Sequence, residues 1–322
     1  MVKSMITRDF KAVLESESTL EAVLLLGPRQ VGKSTLLEQM RVGSHLLLDD
    51  LALRERAQRD PALLLDGATL PCLIDEAQYA PNLFSEIKLR IDKFRREKRE
   101  LGKVYASPLF YLTGSNRTML DENVKESLAG RSNLFLFLGL SVKEVLGAMK
   151  EASLKSILFR GGFPELYTRP ELKVYGFMND YIMSFVEKDI AVSAGIEKMS
   201  AFHTVLRLLA ARTGQFLNMT QVSGAAGVDQ KTVQSWLSVL QRNLIVALVP
   251  SYSSNLSSRI IKMPKLFFYD TGLCARLQGH LDEDQTWHSS QMGALFETLV
   301  FSEIKKTILN FLKPWELYCW RT

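Results

Sequence analysis

The sequence is poor in cysteine: Cys72, Cys274 and Cys319 are odd in number, far apart and outside any C-x-x-C pattern. That argues against a disulfide framework and a thiolate zinc site, and points to a reducing cytoplasm. Long apolar runs are also lacking. The longest, such as residues 134–138 and 244–249, fall far short of the roughly 20 residues a membrane helix needs, so no membrane association is expected. The N-terminus carries Lys3, Arg8, Asp9 and Lys11 with no apolar centre, so no signal peptide is expected. There is no internal repeat, no low-complexity segment and no N-K-x-D motif, the last of which disfavours a GTPase. His203, like the other three histidines, reads as a helix residue rather than a ligand or a nucleotide sensor.

What is present is an ordinary globular composition, 47% apolar and 23% charged over 322 residues. At roughly 150 residues per domain, two or more domains are expected. The net charge of +5 permits contact with phosphate or nucleic acid without requiring it.

The first 140 residues alternate short apolar runs with helix-like stretches. Strands are expected at 22–26, 45–48, 70–74, 109–113 and 133–138, and helices at 34–41, 51–59 and 83–101. Strands buried on both faces and separated by helices imply a parallel sheet. After the first strand comes Gly27-Pro28-Arg29-Gln30-Val31-Gly32-Lys33-Ser34, followed by Thr35, which matches G-x-x-x-x-G-K-[ST]. Its glycines let backbone N–H groups converge on one point at a helix start. Lys33 is expected to reach the β- and γ-phosphates of ATP and Ser34 to bind Mg²⁺. Arg29 reads equally as a phosphate or partner contact and as a solvated side chain.

The run Cys72-Leu73-Ile74-Asp75-Glu76 ends a strand in carboxylates. Asp75 suits Mg²⁺, and Glu76 suits the general base that activates water, a step a small-molecule kinase does not need. The next strand ends in Thr113-Gly114-Ser115-Asn116, where either Ser115 or Asn116 fits a residue between metal and water. Arg131 precedes the fifth strand. It reads either as an arginine finger acting between subunits, near the sheet's carboxyl edge, or as a surface ion pair.

Further on, 201–212, 220–227 and 229–243 read as helices and 244–249 and 266–269 as strands, the outline of a winged helix-turn-helix. The polar helix at 229–237 leaves two readings open, DNA contact and a protein-contacting lid. The run 88–103 holds eight basic and three acidic residues, which fits a solvated face or a patch for nucleic acid or an acidic partner.

These pieces together resemble a family of bacterial and archaeal predicted ATPases of the AAA+ superfamily. The resemblance rests on GPRQVGKSTLL (27–37), LDD (48–50), LIDEAQ (73–78), LTGSN (112–116), LAGR (128–131), GGFPE (161–165), EKDI (187–190) and YDTGL (269–273). It implies an ATPase module, a winged helix and a C-terminal domain of unknown function compared with the restriction-endonuclease fold. Residues 293–297 look like that domain's first helix and 318–321 like its first strand. The acidic strand and the Glu-x-Lys that follow in the family do not occur before Thr322, so the segment reads as incomplete. Glu297 then reads as an exposed helix residue.

The expected fold is α/β: a P-loop parallel sheet with helices on both faces, a helical and winged-helix part, and an incomplete α/β segment. The expected divisions are 1–145, 146–198, 199–275 and 276–322. The expected function is Mg²⁺-dependent ATP hydrolysis driving a conformational switch, with duplex DNA, a protein or a second copy of the chain as candidate partners. The alternatives are a regulator that uses ATP as a structural ligand, and an ATP-gated nuclease. The last helix carries Met292, Leu295, Phe296, Leu299, Val300, Ile304 and Ile308 as an expected apolar stripe, and 316–320 is expected to be a strand without a partner.

Overall fold

A computed structural model of the chain describes residues 5–102, 108–115, 127–192, 194–252 and 263–320. The chain divides into two compact units, Arg8–Phe137 and the remainder.

The first unit begins with α1 (Phe10–Glu17), β1 (Ala22–Leu26), α2 (Lys33–Leu37), β2 (Ser44–Leu47), α3 (Leu51–Arg59) and α4 (Pro61–Asp66). It continues with β3 (Cys72–Asp75), a 3-10 turn (Ala77–Tyr79), α5 (Asn82–Leu101), β4 (Phe110–Gly114) and β5 (Ser132–Leu136). The five strands form one parallel sheet in the order β2-β3-β4-β1-β5. Every residue of β1 is buried, because successive side chains point to opposite faces and both faces are covered. Val23 and Leu25 join Leu73, Tyr111 and Phe135 under α1 and α2, against Phe10, Leu14, Leu36 and Leu37. Ala22, Leu24 and Leu26 join Ile74, Phe110 and Leu112 on the other face, under Phe84, Ile87 and Ile91 of α5. Truncating a residue such as Leu24 to alanine would cost about 2–5 kcal/mol. Helix α3 stops at Asp60, whose side chain accepts from the Leu63 N–H and starts α4 with Pro61 at its first position.

The placement of β4 between β1 and β3 matters most for the site. It brings the ends of three strands side by side at the carboxyl edge: Gly27 after β1, Asp75 at the end of β3, and Ser115 after β4.

The second unit is mainly helical. It contains α6 (Val142–Ala148), α7 (Leu154–Arg160), α8 (Glu165–Thr168) and α9 (Val174–Tyr181), which runs into a π-helical stretch (Ile182–Ala191). Then come α10 (Met199–Ala210), β6 (Gln215–Phe216), α11 (Met219–Ala226), α12 (Gln230–Arg242), β7 (Val246–Val249) and β8 (Lys265–Phe268). The last elements are α13 (Thr271–Leu277), α14 (Glu283–His288) and α15 (Met292–Asn310). The three short strands form an antiparallel sheet in the order β6-β8-β7. One apolar core extends from Leu140 through Phe185, Phe202, Trp236 and Phe268 to Leu299. Residues from the stretches 146–198, 199–275 and 276–322 all contribute to it.

Two motifs far apart in the chain meet here. The buried carboxylate of Asp270 caps α13 by accepting from the Leu273 N–H at 2.8 Å, and accepts from the Gly162 N–H at 2.7 Å. Gly161 has φ +68°, and a Cβ there would lie 2.2 Å from Asp270 Oδ1. Burial pushes the Asp270 carboxyl above its usual range, even though both backbone donors and Lys306 pull the other way.

The C-terminal region departs from expectation in two ways. Helix α15 buries Leu295, Thr298, Leu299, Phe301, Ser302 and Lys306, while Phe296, Val300 and Ile304 are exposed. The buried face is chosen by polar contacts: Thr298 with the Thr213 hydroxyl, Ser302 to the Tyr269 carbonyl and Lys306 to the Leu140 carbonyl. The segment expected to lack a partner has one. Cys319 pairs in parallel with Ser251, its N–H donating to the Pro250 carbonyl and its carbonyl accepting from the Tyr252 N–H. Leu317 and Cys319 pack against Val249, Phe267 and Phe301, and the Trp320 ring stacks on Tyr252.

Candidate functional site

The loop from Gly27 to Gly32 connects β1 to α2. Gly32 takes φ +91° and Gln30 φ +61°, so the loop turns back on itself before the helix begins. A Cβ on Gly27 would lie 2.0 Å from the Phe137 carbonyl oxygen, so only glycine fits at the loop's first position. The loop is pinned from behind by Arg8, which donates to the Val31 carbonyl at 2.8 Å while its guanidinium lies 3.9 Å from the Phe137 ring centre. Nothing in the local sequence marks Arg8 for that task.

Lys33 is 5% exposed and donates to the carbonyls of Gly27 and Pro28 at 2.9 and 2.8 Å. Burial lowers its pKa, with Glu76 and Asp75 pulling it back up. Ser34 and Thr35 follow on the first turn of α2, half-buried and exposed respectively.

Asp75 is buried at the end of β3 and accepts from the Thr113 hydroxyl. Glu76 follows in a left-handed conformation, φ 53° and ψ 48°, uncommon for a residue with a side chain and costing roughly 1–3 kcal/mol. Its N–H donates to Thr113 Oγ1 at 3.1 Å. Its carboxylate accepts from Ser115 Oγ at 2.9 Å, from the Ser115 N–H at 3.3 Å and from the Gln78 amide. Burial opposes ionisation of Glu76, but the Lys33 ammonium, the Gln78 and Ser115 donors and the Arg29 guanidinium outweigh it. The carboxyl is held below its ordinary range. At the end of β2, Asp49 is shifted the other way by burial and by the Glu76 charge.

Arg29 reaches from the loop to the same cluster. Its Nη2 donates to Tyr79 Oη at 2.9 Å and its Nε lies 3.5 Å from Ser115 Oγ. Thus Arg29, Lys33, Asp75, Glu76 and Ser115 are gathered at one edge. Thr113, Gln78 and Tyr79 belong to the same cluster and went unread in the sequence. Their only signal was proximity to the two carboxylates and to the strand end. Asn116 lies outside the described residues.

Arg131 is not at this edge. It precedes β5, and its carbonyl accepts from the Ala22 N–H at the start of β1, about 16 Å of strand away at roughly 3.3 Å per residue. Its guanidinium makes a two-pronged ion pair with Asp92 of α5, at 2.8 and 2.9 Å. The expected position near the carboxyl edge is therefore corrected: in a parallel sheet, whatever precedes a strand lies at the amino edge. On α5, Asp92 and Glu86 are engaged by arginines and Arg95 pairs with Glu21, whereas Lys93, Arg96, Lys98 and Arg99 are exposed. In the second unit Glu297 pairs with Lys265. Among the described residues no group of three His, Cys, Asp or Glu side chains is placed to hold a metal ion by itself, and no helix is long and apolar enough to cross a membrane.

A five-stranded parallel sheet with a glycine loop after β1, a carboxylate pair after β3 and a polar end on β4 defines a P-loop ATPase fold. Comparison with known proteins makes this specific. Residues 20–146 match the family described as an AAA domain, and residues 151–284 match a domain of unknown function (DUF8612). The chain therefore carries an AAA-type P-loop ATPase domain followed by a domain of unknown function.

An uncharacterized protein of Mycobacterium tuberculosis is 30% identical over 303 residues, covering 93% of this chain and 65% of that protein. The chain thus spans less than two thirds of the length of that relative. An uncharacterized protein of Haemophilus influenzae is 23% identical over 296 residues, covering 85% of this chain and 74% of that protein. Among solved structures, a Walker-type ATPase of Pyrococcus abyssi superposes with a TM-score of 0.51 at 15% identity. That match covers 86% of this chain and 97% of the other and shares the fold.

Proposed function

We propose that the chain binds ATP with Mg²⁺ and hydrolyses it, using the cycle to switch the conformation of a partner-binding second unit. The observation that carries this reading is the convergence of Lys33, Asp75, Glu76 and Ser115 at the carboxyl edge, with Glu76 held ionised. The donor set is an ammonium, hydroxyls and hard carboxylate oxygens, which suits a magnesium nucleotide. Ser34 and Asp75 would hold Mg²⁺, which would supply charge neutralisation at the phosphates.

Gly27 to Ser34 wrap the phosphates and Thr35 extends the helix start beside them. Lys33 leaves the loop carbonyls for the β- and γ-oxygens. Glu76 takes a proton from the attacking water as its oxygen bonds to the γ-phosphorus and the bond to the β-phosphate oxygen breaks, releasing ADP. Ser115 orients the Glu76 carboxylate for that transfer.

The second unit's order of α10, β6, α11, α12, β7 and β8 supports a winged helix-turn-helix. Beside α12 lies a cleft of about 260 Å³ lined by Gln230, Gln234, Ser238, Gln241 and aliphatic side chains. Amides there and exposed cations on α5 favour duplex DNA as the partner to try first. Steady-state ATPase activity with and without duplex DNA, at saturating Mg²⁺, tests the proposal. Bound ATP without turnover would favour a regulator that uses ATP as a structural ligand.

A further inference from the structure

Removing Arg131 from the carboxyl edge leaves open which arginine meets the charge that develops on the transferred phosphate. Arg29 stands in the phosphate-wrapping loop itself, and the structure surrounds it with residues that fix its direction. Tyr79 is clamped from three sides. The Arg54 guanidinium covers its ring at 3.8 Å, the Gln58 amide donates to its carbonyl at 2.6 Å, and its hydroxyl accepts from Arg29 Nη2. Arg54 is itself held, with Nε donating to the Leu48 carbonyl at 2.8 Å. On its other side Arg29 Nε faces Ser115 Oγ, the same hydroxyl that donates to Glu76. A guanidinium fixed between the loop and the general base is aimed where the terminal phosphate and the water must meet.

We propose that Arg29 is the catalytic arginine, acting within its own chain on the γ-phosphate, and that Tyr79 is its positioning residue. The assignment rests on the ATPase reading above and goes beyond it. It makes each chain self-sufficient for chemistry and removes the need for a finger from a neighbour. A planar guanidinium presents parallel N–H donors that grip two oxygens of one phosphate in a fixed geometry, whereas a lysine ammonium acts as a point charge.

The test uses the full chain and two kinds of readout. In turnover, Arg29→Ala and Arg29→Lys should each lower kcat by about 10³-fold, at the low end of what such arginines supply. Tyr79→Phe, which keeps the stacking partner of Arg54, should lower kcat with KM little changed. The parent rate per chain should be independent of protein concentration, and Arg131→Gln should leave it unchanged. In binding, measured by titration calorimetry in a Glu76→Gln background, Arg29→Ala should bind ADP like its parent but lose any preference for ATP over ADP. The assignment to Arg29 is overturned by an Arg29→Ala protein that turns over at the parent rate, or by a parent rate that rises with protein concentration and falls with Arg131→Gln. A Tyr79→Phe protein that matches the parent in kcat removes Tyr79 from the assignment. A parent that binds no ATP overturns this assignment and the ATPase reading together. A parent that binds ATP without hydrolysing it overturns the ATPase reading and the catalytic role of Arg29 with it.

Discussion

Replacing Gly161 by alanine should destabilise the second unit. The new methyl would lie 2.2 Å from Asp270 Oδ1 and 2.5 Å from Oδ2, so the carboxylate must shift, and φ +68° strains any residue with a side chain. Displacing Asp270 breaks its bonds from the Gly162 and Leu273 N–H groups. A hydrogen bond to a charged group contributes about 1.5–3 kcal/mol, and a side chain at φ 68° and ψ −151°, a region essentially confined to glycine, costs roughly 1–3 kcal/mol. The sum is about 4 kcal/mol or more. For a unit of this size that lowers Tm by about 8–16 °C.

The assay is built into the sequence. All four tryptophans, Trp236, Trp287, Trp315 and Trp320, lie in the second unit, so a thermal melt followed by tryptophan emission reports on that unit alone. Gly176→Ala is the control of opposite sign. Gly176 lies in α9 with nothing within 4 Å of where the added methyl would sit, so alanine should gain about 0.5–1 kcal/mol of stability. If Gly161→Ala melts within a degree or two of the parent, Asp270 does not anchor the two motifs as argued.

Other outcomes follow from the same geometry. Lys33→Ala should abolish ATP binding in an equilibrium titration, since it removes the ammonium expected at the β- and γ-phosphates. Glu76→Gln should keep ATP bound but stop phosphate release in a steady-state assay, because an amide accepts no proton. Ser115→Ala removes a donor that favours the ionised form of Glu76, so the acidic limb of the kcat/KM profile should move to higher pH. A limb that stays in place would separate Ser115 from the general base. Amide exchange at Cys319, which donates to Pro250, should be slower than at Trp315, which precedes the pairing.

Much of the first unit was legible because β1, β3 and β4 are buried on both faces and so read as largely apolar runs. Helix α3 was read with its observed bounds because Asp50 caps its start and Pro61 ends it. The strand order was not legible. That β4 lies between β1 and β3 depends on long-range pairing, such as Leu24 with Leu112, that no local pattern encodes. This is why Thr113, whose hydroxyl meets both Asp75 and the Glu76 backbone, read only as part of a strand end. The error over Arg131 has another origin, since its composition fits a catalytic arginine and an ion pair equally well and only the sheet's direction decides. In the second unit, α13 was missed because its seven residues are nearly all buried, which leaves no polar face to give a helical period. The stripe on α15 was misread because Thr298, Ser302 and Lys306 are buried through hydrogen bonds rather than apolarity.

Helix α5 begins three residues after Tyr79, the last residue of the turn whose hydroxyl holds Arg29 and whose second residue, Gln78, touches Glu76. Twenty residues of helix make a stiff rod about 30 Å long. Tilting such a lever by about 10° at Tyr79 would sweep its far end, with Lys98 and Arg99, through about 5 Å. A rearrangement smaller than one bond length around a phosphate would thus arrive at the basic end of α5 as a displacement comparable to a full helical turn.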